Sequence, residues 1–255
     1  METLQSFEKL LYILNELREK CPWDSKQTFD SLRTLTIEEV YELSDAIIEK
    51  DFEKIKKESG DLLLHVVFYA KLGEEAGKFN IKDVIDALNE KLIYRHPHVF
   101  GDTKITGEKE VLENWENLKL KEKGGNKRLL DGVPKSLPAC VKAYRIQEKA
   151  SNIGFDWEKP EDVWQKVKEE IAEVEQAAQT ADKEQLEEEF GDLLFSLVNA
   201  ARLYGINPET ALEKTNKKFI SRFNYIEDKL KEQNKTLKDT NLQEMDKLWN
   251  EAKKH

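Results

Sequence analysis

Hydrophobic residues recur every three or four positions along most of this chain, which is the spacing of an amphipathic helix. In the first half this pattern predicts helices over residues 3–20, 36–48, 52–73, 83–94 and 108–122. In the second half it predicts helices over residues 139–150, 160–178, 183–204, 208–230 and 241–254. No segment shows the two-residue alternation that is typical of a half-buried strand. We therefore expect an all-α protein.

A change in composition separates the two sets of predicted helices. Residues 123–138 contain Gly124, Gly125, Gly132, Pro134 and Pro138, which disfavour a continuous helix. We expect a linker there, between an N-terminal domain of residues 1–122 and a C-terminal domain of residues 139–255. A length of 255 residues is enough for two ordinary domains.

An acidic pattern occurs twice, and its second copy lies 131 positions after the first. Residues 38–42 read Glu-Glu-Val-Tyr-Glu and residues 58–61 read Glu-Ser-Gly-Asp; residues 169–173 read Glu-Glu-Ile-Ala-Glu and residues 189–192 read Glu-Phe-Gly-Asp. Residues three apart share one face of a helix, so two antiparallel helices bring four carboxylates together in each half. The two predicted sets are Glu39, Glu42, Glu58 and Asp61, flanked by Glu38, and Glu170, Glu173, Glu189 and Asp192, flanked by Glu169.

Clustered carboxylates repel one another unless a cation lies between them. Ligand sets made only of oxygen favour Mg²⁺ or Mn²⁺ over zinc. A single Glu-x-x-Glu pair is usually only a solvated helix face, but two pairs at matched spacing in both halves favour a metal site. A ferritin-like di-iron site would need Glu-x-x-His pairs, and Glu42 and Glu173 stand where those histidines would be.

Each half also carries a pair of basic residues at i,i+4 spacing, Lys91 with Arg95 and Lys218 with Arg222. Basic side chains opposite a carboxylate-bound cation are suited to holding a polyphosphate, although either pair alone is also typical of a solvated helix. Trp115 and Trp249 occupy roughly corresponding positions, and each is equally consistent with base stacking and with core packing. Asn199 is a candidate for base recognition, and its counterpart in the first half is Phe68.

Charge and hydropathy narrow the range of partners and compartments. The formal net charge is −10, which argues against a nucleic-acid-binding surface. No apolar run is long enough to span a membrane, and the N-terminal residues do not resemble a signal peptide. The chain has two cysteines, Cys21 and Cys140, in different halves, so we expect a reducing cytoplasm and no disulfide.

Together these motifs resemble those of the MazG family of nucleoside triphosphate pyrophosphohydrolases, and the resemblance covers nearly the whole chain as two tandem domains. It is carried by Cys21-Pro22-Trp23-Asp24 with Gln27-Thr28, residues 38–42, 58–63 and 95–100, and in the second half by residues 153–157, 169–173, 187–195, Lys218-Phe219 and Arg222-Phe223.

The resemblance implies MazG-type domains resembling four-helix bundles, which are completed by homodimerisation. It also implies Mg²⁺-dependent hydrolysis of NTPs and dNTPs to the monophosphate and pyrophosphate, as in the house-cleaning of nucleotide pools. The second domain is then the expected nucleotide site. The implied roles there are metal binding for Glu170, Glu173, Glu189 and Asp192, metal or water binding for Glu169, phosphate binding for Lys166, Lys218 and Arg222, and base binding for Asn199 and Trp249.

In the first domain the resemblance implies a second site, for which a different substrate such as inorganic pyrophosphate is a candidate; its residues are Glu38, Glu39, Glu42, Glu58, Asp61, Lys91, Arg95 and Trp115. Two alternatives remain open at this point. One is a narrower hydrolase, acting on dUTP, phosphoribosyl-ATP or inorganic pyrophosphate. The other is a non-catalytic helical dimer in which the carboxylates hold a structural cation.

Overall fold

The protein forms two compact units, Met1–Ile105 and Thr106–His255. The computed structural model describes residues 2–103, 107, 110, 111, 114, 115, 118, 128–180 and 182–254. Every regular element in these residues is an α-helix or a 3₁₀ turn, so the prediction of an all-α protein is confirmed. The linker bounds of 123–138 stay a prediction, and the helix predicted over residues 108–122 falls largely outside the described residues.

The first unit consists of four long helices and one short helix. They are α1 (Glu2–Lys20), α2 (Phe29–Glu49), α3 (Phe52–Glu75), α4 (Ile81–Arg95) and α5 (Pro97–Phe100). Helix α2 begins earlier than the predicted residue 36 because Thr28 and Ser31 cap it reciprocally. The Ser31 amide donates to Thr28 Oγ1 at 3.2 Å, and the Thr28 amide donates to Ser31 Oγ at 2.9 Å.

A tight turn between α2 and α3 positions the acidic residues of the first unit. Lys50 ends α2 in the left-handed conformation, with φ at 58°, and Asp51 begins the next helix by accepting hydrogen bonds from the Glu53 and Lys54 amides at 3.1 Å. The two helices then pack along one another. Buried Leu14, Leu32, Val67, Phe68 and Leu72 form the core beneath them.

The second unit repeats this helical order. Within residues 128–180 and 182–254, its helices are α6 (Ala139–Ser151), α7 (Val163–Thr180), α8 (Lys183–Leu203), α9 (Pro208–Glu232) and α10 (Leu242–Ala252). Asp182 caps α8 by accepting from the Glu184 and Gln185 amides at 3.0 and 3.2 Å, which repeats the cap at Asp51. Helix α7 begins at Val163 rather than residue 160, because residues 160–162 form a 3₁₀ turn.

Two clusters of buried side chains stabilise the second unit. Val163, Val167 and Ala200 pack between α7 and α8, and Ile226, Leu230 and Leu248 pack between α9 and α10. Both α7 and α8 therefore have one face fixed in the core, and their acidic residues range from buried Glu170 to exposed Glu169 and Asp192. None of the helices in the described ranges combines the length and hydropathy that a bilayer span needs.

Candidate active site

Helices α2 and α3 bring three of the four predicted carboxylates of the first unit together. Glu39, Glu58 and Asp61 each contribute an oxygen, and these three oxygens lie within 4.8 Å of one another. Glu58 is buried, whereas Glu39 and Asp61 are half-buried. The fourth predicted residue, Glu42, is exposed and lies outside this group. The arrangement can hold a divalent cation at the edge of the helix pair.

Glu39 has a buried oxygen, Oε2, that has no hydrogen-bond partner among the described residues. Burial raises the pKa of the Glu39 carboxyl, and the nearby charges of Asp61, Glu42 and Glu58 raise it further. A buried acceptor without a donor is uncommon in folded proteins. A bound cation would satisfy this oxygen and remove the repulsion, so the residues present fit a divalent metal.

Lys57 supplies a positive charge to the same group. Its Nζ lies 3.0 Å from Glu58 Oε1 and 3.4 Å from Asp61 Oδ2. These two carboxylates raise the pKa of Lys57. This contact was not predicted from the sequence, although the spacing of four residues between Lys57 and Asp61 is compatible with an ion pair on one helix face.

Helices α7 and α8 form the corresponding group in the second unit. Glu170, Glu173 and Glu189 each contribute an oxygen, and these three oxygens also lie within 4.8 Å of one another. Glu170 is buried, and the other two are half-buried. Asp192 is exposed and lies outside this group of three, as Glu42 does in the first unit. Each unit therefore presents three converging carboxylates with a fourth exposed beside them.

Lys166 is the cation that contacts the second group. Its Nζ lies 2.7 Å from Glu169 Oε1 and 2.7 Å from Glu170 Oε1. Hydrogen bonding to these two carboxylates raises the pKa of Lys166 well above its usual range. The Lys166 hydrogen bond holds the pKa of Glu170 low, whereas the hydrogen bond between Glu173 and Glu170 raises the pKa of Glu173.

The two units neutralise their carboxylates from different helices. Lys57 lies on α3, and its counterpart 131 positions later is Glu188; Lys166 lies on α7, and its counterpart in the first unit is Leu35. The acidic residues are thus repeated in the two units, whereas the lysines that contact them, Lys57 and Lys166, occupy different positions. The two carboxylate groups are consequently similar in composition and differ in the lysine that contacts them.

A partly buried polar network distinguishes the first unit further. Thr36 Oγ1 lies 2.9 Å from His65 Nδ1 and 2.6 Å from the Tyr69 hydroxyl. Burial lowers the pKa of His65, although the charge of Asp61 opposes this shift. The corresponding residues in the second unit are Val167, Ser196 and Ala200. His65 is therefore a hydrogen-bonded histidine beside the acidic group and is not part of the three-carboxylate group.

Apart from Lys166 on α7 and Asn199 on α8, the predicted phosphate- and base-binding residues lie outside the helices that carry the carboxylates. In the second unit, Arg222 lies with its guanidinium carbon 5.4 Å from the centre of the Trp249 ring, and the Phe219 ring lies 4.9 Å from the same tryptophan. Trp249 is half-buried against the α9–α10 core, while Lys218 is exposed. In the first unit, Lys91 and Glu38 are exposed and Arg95 is half-buried; Trp115 is also half-buried, but it follows residue 105 and so belongs to the second unit.

Asn199 lies in a different environment from Trp249. It lines a pocket of about 560 Å³ between α6, α8 and the segment that joins α6 to α7, and Trp249 does not line this pocket. The two residues predicted to bind the base are therefore not brought together by the described part of one chain. At the position of Asn199, the first unit has Phe68, which is buried in its core.

Comparison with known proteins identifies the family. The model of the MazG nucleotide pyrophosphohydrolase domain matches residues 27–100 and 158–226. The chain is 46% identical to the Thermotoga maritima protein named nucleoside triphosphate pyrophosphohydrolase/pyrophosphatase MazG, over 97% of this chain and 95% of that protein. It is 42% identical to the Escherichia coli K12 nucleoside triphosphate pyrophosphohydrolase, over 98% of both chains. It is also 51% identical to the uncharacterized protein YabN of Bacillus subtilis, over 96% of this chain and 53% of that protein.

Proposed function

Because this chain belongs to the MazG nucleotide pyrophosphohydrolase family, we propose that it hydrolyses nucleoside triphosphates, including deoxynucleoside triphosphates, to the monophosphate and pyrophosphate. The observation that carries the proposal is the convergence of Glu170, Glu173 and Glu189 beside Lys166. Carboxylate oxygens bind a hard divalent cation, and a lysine beside them suits an anionic substrate. The relatives from Thermotoga maritima and Escherichia coli carry the names of enzymes with this activity.

In the second unit, Glu170, Glu173, Glu189 and Asp192 are the proposed Mg²⁺ ligands, and Mn²⁺ is the proposed substitute. The bound cation supplies charge neutralisation on the phosphates and lowers the pKa of a coordinated water. Glu169 is exposed beside the buried Glu170 and is the proposed residue for orienting the water or completing the ligand set.

The basic residues of the second unit are proposed to hold the phosphates. Lys166 already contacts the carboxylate group, so it lies where a phosphate beside the cation would be. Lys218 and Arg222 are one turn apart on α9, and Arg222 is held over the ring of Trp249. Their charges would stabilise the negative charge that develops on the leaving pyrophosphate.

For the first unit we propose a second site that hydrolyses inorganic pyrophosphate. Glu39, Glu58 and Asp61 are its proposed ligands, with Glu42 and Glu38 beside them and Lys91 and Arg95 as phosphate-binding residues. Two observations favour a substrate without a base. Phe68 fills the core where the second unit has Asn199, and Tyr69 occupies the position of Ala200. The Thermotoga maritima relative is also named as a pyrophosphatase.

A homodimer is the proposed assembly. On the helices that carry the carboxylates, three hydrophobic positions are exposed in both units at an offset of 131 residues: Val40 and Ile171 (49% and 42% exposed), Leu63 and Leu194 (44% and 62%), and Val66 and Leu197 (46% and 40%). Exposed hydrophobic patches of this kind mark interaction surfaces. Leu194→Glu should give a monomer in sedimentation velocity, and a wild-type chain that is monomeric at micromolar concentration would contradict the proposal.

A cytoplasmic location and a role in keeping nucleotide pools clean are the proposed biological setting. The acidic net charge of −10 supports small-molecule substrates that bind through a cation and does not favour nucleic acid. The prediction that no membrane or nucleic acid takes part follows from this charge and composition.

Product analysis tests the activity. The purified chain with Mg²⁺ should convert each NTP or dNTP to one monophosphate and one pyrophosphate, and the first unit should then split that pyrophosphate into two orthophosphates. Release of the diphosphate and orthophosphate would contradict cleavage between the α- and β-phosphates. Turnover of a single nucleotide such as dUTP would favour the narrower hydrolase, and no turnover at all would favour a structural cation.

A further inference from the structure

Lys57 lies on the side of the first carboxylate group that is nearest the turn between α2 and α3. It precedes Glu58 by one residue and Asp61 by four, and α3 begins shortly before it, at Phe52. Its Nζ lies 3.0 Å from each carboxylate oxygen of Glu58 and 3.4 Å from Asp61 Oδ2. The ammonium therefore contacts two of the three converging carboxylates.

Lys166 lies on the opposite side of the second carboxylate group. It precedes Glu170 by four residues on α7, so its backbone is about 6 Å farther along the helix axis from the turn that joins α7 to α8. In the first unit the position of Lys166 is taken by Leu35, which packs against the core. In the second unit the position of Lys57 is taken by the exposed Glu188. Each group is thus contacted by a lysine from a different end of its helix pair.

The side chain of Lys57 remains open to solvent. It is 65% exposed, whereas the side chain of Glu58 that it contacts is only 7% exposed. An ion pair with one partner this exposed contributes little to the stability of a fold, so Lys57 can exchange its partner at small cost. The contact places a positive charge at the solvent edge of the acidic group, where a ligand can reach it.

A divalent cation held by this group would leave Lys57 facing another positive charge. Glu58 and Asp61, which Lys57 contacts, are also two of the proposed metal ligands. Two positive charges that share the same carboxylates repel each other, whereas an anionic oxygen between them is attracted by both. A phosphate bound to the cation provides such an oxygen, and its hydrogen bond to an ammonium is charge-assisted. The arrangement therefore favours a ligand made of phosphate groups.

We propose that Lys57 binds a phosphate of inorganic pyrophosphate in the first unit. Hydrolysis adds one water across the P–O–P bridge: the water oxygen bonds to one phosphorus, the bridging oxygen leaves with the other, and each orthophosphate keeps one water proton. The charge of Lys57 stabilises the phosphate that leaves. The inference rests on the pyrophosphate hydrolysis proposed for the first unit, and it adds a residue that neither the acidic motifs nor the i,i+4 basic pairs indicated.

An analogue that cannot be hydrolysed tests the binding role without turnover. Methylenediphosphonate replaces the bridging oxygen of pyrophosphate by a CH₂ group. A parent chain carrying Glu173→Gln, which lacks one proposed ligand of the second unit, should bind it through the first unit in calorimetry with Mg²⁺. Adding Lys57→Gln should weaken this binding about tenfold, because a hydrogen bond between charged groups is lost. The KM for pyrophosphate should rise by a similar factor.

Three further variants separate the position of the charge from the net charge. Lys56→Gln is the matched control, because Lys56 is an exposed lysine of the same helix that pairs with Glu53, and it should keep the affinity of the parent chain. Lys57→Arg keeps the charge and should keep most of the affinity, whereas Lys57→Glu should abolish detectable binding. An equal loss in Lys56→Gln and Lys57→Gln would overturn the proposal. Thermal melting checks that each variant is folded.

Mn²⁺ alone distinguishes phosphate binding from a role in orienting Glu58. If Lys57 only orients Glu58, Lys57→Gln should weaken the binding of Mn²⁺ when no methylenediphosphonate is present, and that result would overturn the proposal. Phosphate binding by Lys57 predicts that the affinity for Mn²⁺ is unchanged or higher in Lys57→Gln, because a competing positive charge has been removed.

The remaining outcomes separate this inference from the proposed function. Equal affinity of the parent chain and Lys57→Gln for methylenediphosphonate overturns the role of Lys57, and so does a parent chain that does not bind it. If binding falls about tenfold but the chain releases no orthophosphate from pyrophosphate, the binding role of Lys57 stands and the proposed hydrolysis fails. If pyrophosphate is hydrolysed with the same KM by Lys57→Gln, the proposed hydrolysis stands and the role of Lys57 fails.

Discussion

Lys166 places its Nζ 2.7 Å from Oε1 of Glu170, so the ammonium lies at the edge of the carboxylate group that is proposed to hold Mg²⁺. Its raised pKa keeps it charged throughout the physiological range. The lysine and a divalent cation therefore compete for the charge of the same buried carboxylate. This competition makes the second site testable in the absence of any substrate.

Replacing Lys166 should strengthen metal binding and weaken substrate binding. In Lys166→Gln the carboxylates lose a competing cation, so Mg²⁺ or Mn²⁺ should bind severalfold more tightly by calorimetry. The same variant should show a higher KM for NTPs because a phosphate-binding charge is lost.

Lys168→Gln is the matched control for this prediction, because Lys168 is an exposed lysine on the same helix. Lys168→Gln should leave the affinity for Mg²⁺ or Mn²⁺ and the KM for NTPs near the wild-type values. Weaker metal binding by Lys166→Gln would show that the lysine supports the metal site instead of competing with it.

The pKa of Glu39 makes the metal-free first unit sensitive to pH. The pKa is raised in the folded chain, so the stability that protonated Glu39 contributes is fully present below its unfolded pKa near 4.5 and is lost as pH rises through the folded pKa. In EDTA, Glu39→Gln should therefore melt at a higher temperature than wild type at pH 8, with a smaller difference at pH 5.

At pH 8, Mg²⁺ should reverse the order of the two melting temperatures, so that the wild type melts above Glu39→Gln. Mg²⁺ should raise the melting temperature of the wild-type first unit and have a smaller effect on Glu39→Gln, which lacks one proposed ligand. Glu8→Gln removes an exposed carboxylate from α1 and should behave as wild type in both conditions. If Glu39→Gln melts at a lower temperature than the wild type in EDTA at pH 8, repulsion between Glu39 and the neighbouring carboxylates is disproved.

Gly191 lies within α8 between two proposed ligands, and a Cβ at this position would meet no atom within 4 Å beyond its chain neighbours and the local helix backbone. The same is true of Gly60 in α3. Gly191→Ala should therefore stabilise the second unit by up to about 1 kcal/mol in urea unfolding, since alanine is the better helix former.

The same substitution should lower NTP turnover, because the open space beside Asp192 is where substrate or a second copy would approach. Gly60→Ala is the matched change in the first unit and should leave NTP turnover unchanged. A loss of stability in Gly191→Ala would mean that the glycine serves the fold itself.

Thr36 holds together the polar network of the first unit. Thr36→Val introduces the residue found at the equivalent position 167 and leaves His65 Nδ1 and the Tyr69 hydroxyl without their shared partner. We expect a loss of about 1–3 kcal/mol in the free energy of unfolding, because unsatisfied buried polar groups are costly. Tyr69→Phe, which removes only one member, should cost less. An unchanged unfolding midpoint in Thr36→Val would contradict a structural role for the network.

The helical fold and the family were predictable from the sequence, because both depend on local spacing. The ends of the helices were less predictable from the sequence. Helix α2 begins at Phe29 because of hydrogen bonds between Thr28 and Ser31, which hydrophobic periodicity does not detect. The family assignment, made from short motifs, is confirmed by the match over residues 27–100 and 158–226.

The carboxylate groups were predicted as sets of four, and the structure brings three of each set within 4.8 Å. The contacts of Lys57 and the buried Gln147 Oε1, which has no hydrogen-bond partner among the described residues, were not predicted, because they depend on side-chain conformation and on packing between helices distant in sequence. The roles of all these residues stay predictions until variants are measured.

Glu173→Gln, measured for NTP turnover with Mg²⁺ and for thermal melting, tests the central claim most directly. Monophosphate release should fall on the order of 100-fold or more while the melting temperature stays near that of Glu227→Gln, an exposed change on α9 that should keep full activity. Glu42→Gln should leave NTP turnover intact. Wild-type turnover by Glu173→Gln, or a loss that only follows unfolding of the chain, would contradict a catalytic metal site on α7 and α8.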